Sequence, residues 1–183
     1  MKLEELKEEC RKCHKCNLSK TRNTVVFGNG NSNAKIMFIG EGPGKQEDLS
    51  GKVFVGEAGH LLDKMLKAID LKREDIYIAN IVKCRPPQNR DPFPEEEEAC
   101  IEYLRNQVRI VNPKILVCLG RVAAKRIINP DFRITREHGE WIKRGKFWII
   151  GTYHPAALLY DPTKKRDSWE DLKKIKEKLE SLG

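Results

Sequence analysis

Five of the six cysteines fall into two groups spaced as metal ligands are. Cys10, Cys13 and Cys16 form a C-x-x-C-x-x-C run near the N-terminus, and Cys84 and Cys100 flank the proline-rich stretch CRPPQNRDPFP. A close C-x-x-C pair joined by two distant cysteines supplies four thiolates to one zinc ion or one iron–sulfur cluster. Spacing alone leaves the close pair open between Cys10/Cys13 and Cys13/Cys16. Disulfides plus small core residues are the competing account. The sixth cysteine, Cys118, sits inside an apolar run and reads as a small buried residue.

A second set of residues has the types needed for ligand chemistry. The turn Gly40-Glu41-Gly42-Pro43-Gly44 follows an apolar run, and glycines let a backbone bend sharply and bring its amides close to a ligand. The turn lacks the Lys-Ser/Thr of a nucleotide P-loop and does not match G-x-G-x-x-G. Glu47 and Asp48 follow it, and Phe54 offers an aromatic face. Asn80 and His154 each close a further apolar run. Taken singly, such residues are caps, core or satisfied polar groups. Their shared placement at the ends of strands is what points to a site.

Hydrophobic periodicity supplies those strands. KIMFIG (35–40), IYIANIV (76–82), KILVCLG (114–120) and FWIIGTY (147–153) read as short buried strands. Residues 2–12, 58–69, RVAAKRII and 168–181 read as helices. A further helix starts near Pro94, with Glu95 to Glu98 at the positive end of its dipole. The alternation predicts an α/β fold, a three-layer α/β/α sandwich around a central four-stranded, mainly parallel sheet. In such folds, ligands bind beyond the carboxyl ends of the strands. No repeat or linker divides the chain, so residues 1–183 are expected to form one domain, with an N-terminal metal-ligand segment at about 1–20.

The start MKLEELKEE is charged, and no apolar segment of about 20 residues follows anywhere. The expectation is a cytoplasmic protein with no membrane partner, whose cysteines are reduced or metal-bound. A formal net charge of +8 suits a polyanionic partner. The Lys/Glu richness resembles a thermophile's composition.

The segments GEGPG, VFVGEAGHLLDKML, IYIANIVKCRPPQNRDP and HPAALL, in order from about Cys13 to Leu159, resemble a family 4 uracil-DNA glycosylase. That resemblance implies a compact α/β/α fold and hydrolysis of the bond between uracil N1 and deoxyribose C1′ in DNA, once the base has been flipped from the stack. It implies a 4Fe-4S cluster on Cys13, Cys16, Cys84 and Cys100, leaving Cys10 to pack on the apolar face of the first helix. Phe54 would stack on uracil and Asn80 would read its Watson–Crick edge. His154 and the amides around Glu41 and Gly42 would bind the oxygen on which charge develops, and Glu47 would crowd C5 against a thymine methyl. Leu158 or Leu159 would fill the gap in the stack, and Lys164, Lys165 and Arg166 would meet phosphates. The partner is uracil-containing DNA, single- or double-stranded, and the chain acts as a monomer. Family 1 enzymes carry an Asp where this sequence has Gly42, so the water activator is unassigned. HPAALL departs from the more usual HPSYLL, with Ala156 and Ala157 lacking a hydroxyl and an aromatic ring. Two other classes remain open at this point: an iron–sulfur electron carrier, and a DNA-binding module without catalysis.

Overall fold

A computed structural model describes all 183 residues. In chain order the helices and strands are α1 (Leu3–Arg11), β1 (Asn29–Gly30), β2 (Ile36–Gly40), α2 (Lys45–Ser50), α3 (Glu57–Ala68), β3 (Tyr77–Asn80) and α4 (Pro94–Val111). They continue with β4 (Ile115–Leu119), α5 (Arg121–Ile127), α6 (Ile134–Glu137), β5 (Ile142–Arg144), β6 (Phe147–Thr152), α7 (Pro155–Tyr160) and α8 (Lys165–Ser181). No helix is long and apolar enough to cross a membrane.

The strands form one sheet in the order β1-β3-β2-β4-β6-β5. The inner four, β3, β2, β4 and β6, are parallel, and each outer strand pairs antiparallel with its neighbour. The sheet therefore has six strands rather than the expected four. The missed strands are two and three residues long, too short to leave an alternating pattern in sequence. β2 and β4 are buried at every position, as apolar runs covered on both faces must be.

Side-chain alternation sends each inner strand into two cores. Met37, Ile39, Leu116 and Cys118 face one layer with residues of α1, α4 and α5. Ile36, Phe38, Val117 and Ile150 face the other with residues of α3, α7 and α8. The three-layer sandwich is thus a direct result of period-two patterning on strands buried from both sides.

Local chemistry fixes the connections. α4 starts at Pro94, where Glu96 accepts the Phe93 amide at 2.8 Å and takes two bonds from Arg90. It ends at Asn112, which holds a left-handed conformation with φ 55°. α8 begins at Lys165, earlier than the expected residue 168, so Lys165 and Arg166 lie on a helix rather than in a loop.

One buried polar knot ties α8 to the sheet. The carboxylate of Asp171 accepts Thr152 Oγ1 at 2.5 Å and lies 2.8 Å from His138 Nδ1. Asp171→Ala leaves both partners without their acceptor inside the protein. A loss of about 2–4 kcal/mol in urea-denaturation stability is expected; an unchanged midpoint would contradict the reading.

Candidate active site

The strand order reverses between β2 and β4, because the chain leaves β2 toward β3 and then returns across it to β4. The loops leaving β2 and β4 diverge there, and a cleft opens between them, as expected for an open parallel sheet. This cleft has a volume of about 690 Å³ and is lined by Glu41, Gly42, Glu47, Phe54, Asn80 and His154, among others. Six residues, from the turn after β2, helix α2, the segment before α3, the end of β3 and the N-cap of α7, thus share one wall system. A larger hollow of about 1200 Å³ lies beyond Phe54. It contains none of Glu41, Asn80 or His154, so the residues singled out from the sequence gather in the smaller cleft.

Gly40 makes the convergence possible. Its register partner on β3 is Asn80. A Cβ at residue 40 would stand 2.5 Å from Asn80 Oδ1 and 2.8 Å from Phe54 Cζ. Both distances are below any real contact, so only a residue without a side chain lets the amide and the ring meet there.

Phe54 is held in a costly conformation. Its φ is +50°, in the left-handed region that a bulky side chain rarely adopts. Arg73 fixes it from one side, donating Nη1 to Val53 O at 2.9 Å and Nη2 to Phe54 O. Glu47 fixes it from the other, accepting the amides of Val55 and Gly56 at 2.8 Å each. The remaining Glu47 oxygen accepts Gly44 N at 3.0 Å. Glu47 therefore ties the glycine turn to the Phe54 segment, and both its carboxylate oxygens are committed to that brace. The Phe54 ring lies 5.4 Å from the His154 ring, nearly parallel at 27°.

The polar groups of the cleft have defined surroundings. Asn80 is 2% exposed, and its Oδ1 is buried without a hydrogen-bond partner. His154 caps α7, its Nδ1 accepting the Ala156 amide at 3.0 Å. An accepting Nδ1 places the ring proton on Nε2. Burial lowers the His154 pKa to about 4, against the opposing charge of Glu47, so the imidazole is neutral at ordinary pH. The amides of Glu41 and Gly42, at the end of β2, donate to no acceptor within the protein. Burial raises the Glu41 carboxyl to about 7, helped by Asp91 and Glu97 and opposed by Arg121.

The cysteines gather separately, below the sheet's far layer. Cys10, Cys13, Cys16, Cys84 and Cys100 line one small cavity, and all six cysteines are free. No three His, Cys, Asp or Glu side chains form a ready-made metal-binding group. The donor set nonetheless suits thiolates. Lys15 N donates to Cys13 Sγ at 3.5 Å, Arg22 Nη1 to Cys84 Sγ at 3.4 Å, and Lys83 N to Cys100 Sγ at 3.3 Å. Cys10 is buried in α1, and burial pushes its thiol up to about 12. Cys118 is buried in β4, away from the others.

A sequence model of the uracil DNA glycosylase superfamily matches residues 27–173. A type-4 uracil-DNA glycosylase of Archaeoglobus fulgidus is 48% identical over 96% of this chain and 92% of its own. Its counterpart from Thermotoga maritima is 41% identical over 99% and 96%. This chain belongs to the type-4 family of the uracil-DNA glycosylase superfamily.

Within that family frame, the DNA-contacting expectations divide. Leu158 is 2% exposed and packs in the core between α7 and α3, on the inward face of a short helix. Leu159 is exposed, and the next residue, Tyr160, is 93% exposed at the cleft. Lys164 lines the cleft, and Lys45, Arg90 and Arg121 complete a cationic rim in which Arg90 is paired with Glu96 and Arg121 with Asp91. Lys165 and Arg166 stand exposed outside it, on the first turn of α8, where cations oppose the helix dipole.

Sequence reasoning missed Arg73, Arg90, Arg121 and Tyr160. An aromatic residue directly after HPAALL was a usable signal for Tyr160. Nothing in the sequence marks Arg73, whose acceptors are the Val53 and Phe54 carbonyls and the Asp63 carboxylate. For this glycosylase-family site, Gly40→Ala is expected to cost about 1–3 kcal/mol in thermal or urea stability through overpacking, and to displace Phe54 or Asn80 in a crystal structure. An unshifted pair in that variant would refute the convergence argument.

Proposed function

We propose that this protein removes uracil from DNA by hydrolysing the N1–C1′ bond, leaving an abasic site. The carrying observation is the unpartnered, buried Oδ1 of Asn80 beside the Phe54 ring. Uracil offers an N3–H donor to that oxygen and an O4 acceptor to the amide nitrogen. Cytosine offers an unprotonated N3 and an amino group there, so acceptor would face acceptor and donor would face donor. Buried polar groups left unpaired in this way reject the wrong base strongly. The Phe54 ring supports the reading, since it supplies a flat apolar surface for a flipped base.

Bond cleavage leaves the electron pair on uracil, with negative charge spread onto O2. The neutral His154 ring can donate from Nε2 to that oxygen, and the free amides of Glu41 and Gly42 add donors at the end of β2. Water supplies hydroxyl to C1′, and its proton balances the uracil anion. The Glu41 carboxylate, at the cleft wall, takes that proton from the water, releases it to solvent or the departing uracil, and opposes the positive charge on the sugar. Glu47 acts against a C5 methyl through position, by holding the Phe54–Gly56 segment where it is. Leu159 and Tyr160 are the residues placed to fill the gap in the stack, and the cationic rim, with Lys164, Lys165 and Arg166, meets phosphates.

The cysteine centre is proposed to hold a 4Fe-4S cluster on Cys13, Cys16, Cys84 and Cys100. Three N–H donors aimed at sulfur and membership of the type-4 family support this over zinc. When bound, the cluster crosslinks the N-terminal segment to the loop between Cys84 and Cys100. Ligation displaces thiol protons, which burial holds more firmly on Cys84 and Cys100, and thiolate ligands suit a reducing cytoplasm. Action as a monomer on uracil in single or double strands is part of the same proposal.

Uracil-containing oligonucleotides, incubated with cluster-loaded protein and then treated with alkali, should be cleaved at uracil. Asn80→Ala and His154→Ala should each slow release about 100- to 1,000-fold. Intact U:G, U:A and single-stranded substrates with wild-type protein would end the proposal. The single-turnover rate should also fall as pH drops through about 7, where Glu41 takes up a proton. His154, with its pKa near 4, stays neutral across that limb. Glu41→Gln should lower the rate and abolish the limb; a limb that persists would assign it elsewhere.

A further inference from the structure

One buried charge has no part in the mechanism above. Lys83 follows β3, is 1% exposed, and forms no ion pair with any carboxylate. Its Nζ donates to Asn80 O at 2.9 Å and to Gln107 Oε1 at 2.6 Å. The Phe27 ring lies 5.9 Å from the ammonium. Gln107 is itself locked, because its Nε2 donates to Phe27 O at 2.8 Å and to Tyr77 OH at 3.0 Å. That leaves Oε1 facing Lys83 with no freedom to turn away.

Neutral acceptors satisfy the ammonium's hydrogen bonds but not its charge, and an isolated buried ion is expensive. The proposed ligand sulfurs near it are those of Cys100 and Cys84, which carry negative charge once they bind the cluster. Lys83 lines the cysteine cavity, and its backbone amide donates to Cys100 Sγ. A single residue thus touches the cysteine centre through its main chain and the base-reading residue through its side chain.

We propose that Lys83 is a positioning residue that joins the two sites. It neutralises the metal–thiolate charge from inside the protein. It also holds the backbone of Asn80, so that the carboxamide of that residue stays on the edge of the base. The inference rests on the uracil-excision and cluster readings above. It gives the cysteine centre a consequence for base recognition without any part in bond cleavage.

The test is Lys83→Met in cluster-loaded protein, with iron and sulfide content and thermal unfolding as checks of loading and folding. Removing a buried cation should move the cluster's reduction potential to more negative values. Single-turnover uracil release should slow about 10- to 100-fold, as loss of a group supporting a metal ligand or site commonly does, with affinity for abasic DNA unchanged. An unchanged potential and rate would overturn the proposal. A shifted potential with wild-type rate would overturn the link to Asn80. If Lys83→Met does not fold, Gln107→Glu keeps the size of the side chain and gives the ammonium a competing carboxylate. The same negative shift and slower release are then expected, and their absence counts equally against the proposal. Wild-type protein that releases no uracil would defeat the functional reading itself; active wild type with an indifferent variant defeats only the role of Lys83.

Discussion

The site depends on one missing side chain. Where β2 ends, Gly40 lies in register with Asn80, and the Phe54 ring closes on the same point. Any Cβ would occupy the space that the amide oxygen and the ring share. The parallel sheet brings the strand ends together, but a sheet of ordinary residues would hold their side chains a layer apart. The bare backbone of Gly40 removes that layer. The free amides of Glu41 and Gly42 follow at once along the chain, so one turn serves both approach and donation.

The rest of the local architecture holds this arrangement under strain. Phe54 would relax from its left-handed φ if it were released, at a gain on the order of 1–3 kcal/mol. It is instead clamped by a guanidinium on its carbonyl side and by a carboxylate on the amides that follow it. His154 is fixed by a different device, the start of α7, which chooses its tautomer as well as its direction. Hydrogen bonds made to backbone groups therefore set the geometry of both rings. That makes the cleft rigid before any ligand arrives, as pre-organised electrostatic catalysis requires.

Much of this was legible in the residues themselves. The four inner strands announced themselves because a strand buried on both faces must be apolar throughout, and the glycine turn stood out at the end of the first. Asn80 and His154 could be placed because each closes such a run. The edge strands left no trace, since two or three residues carry no period. Leu158 could not be told from Leu159 until α7 turned one inward and the other outward. Glu47 looked free to face a ligand, but hydrogen bonds to backbone amides, which a sequence does not encode at a distance, had already claimed it. Arg73 and Lys83 escaped for the same reason: their acceptors, backbone carbonyls with the Asp63 carboxylate and the Gln107 amide oxygen, are brought near by folding.

The two edge strands have a further bearing on how the molecule behaves in company. A parallel sheet ends in rows of unpaired N–H and C=O groups that can recruit another chain. Here each row is closed by a short antiparallel segment: Asn29–Gly30 on one side, and Ile142–Arg144, with its two cations, on the other. Neither offers enough length to template a neighbour, and the second repels a copy of itself by charge. The strands that sequence could not announce are thus the ones that keep the sheet from growing into an aggregate.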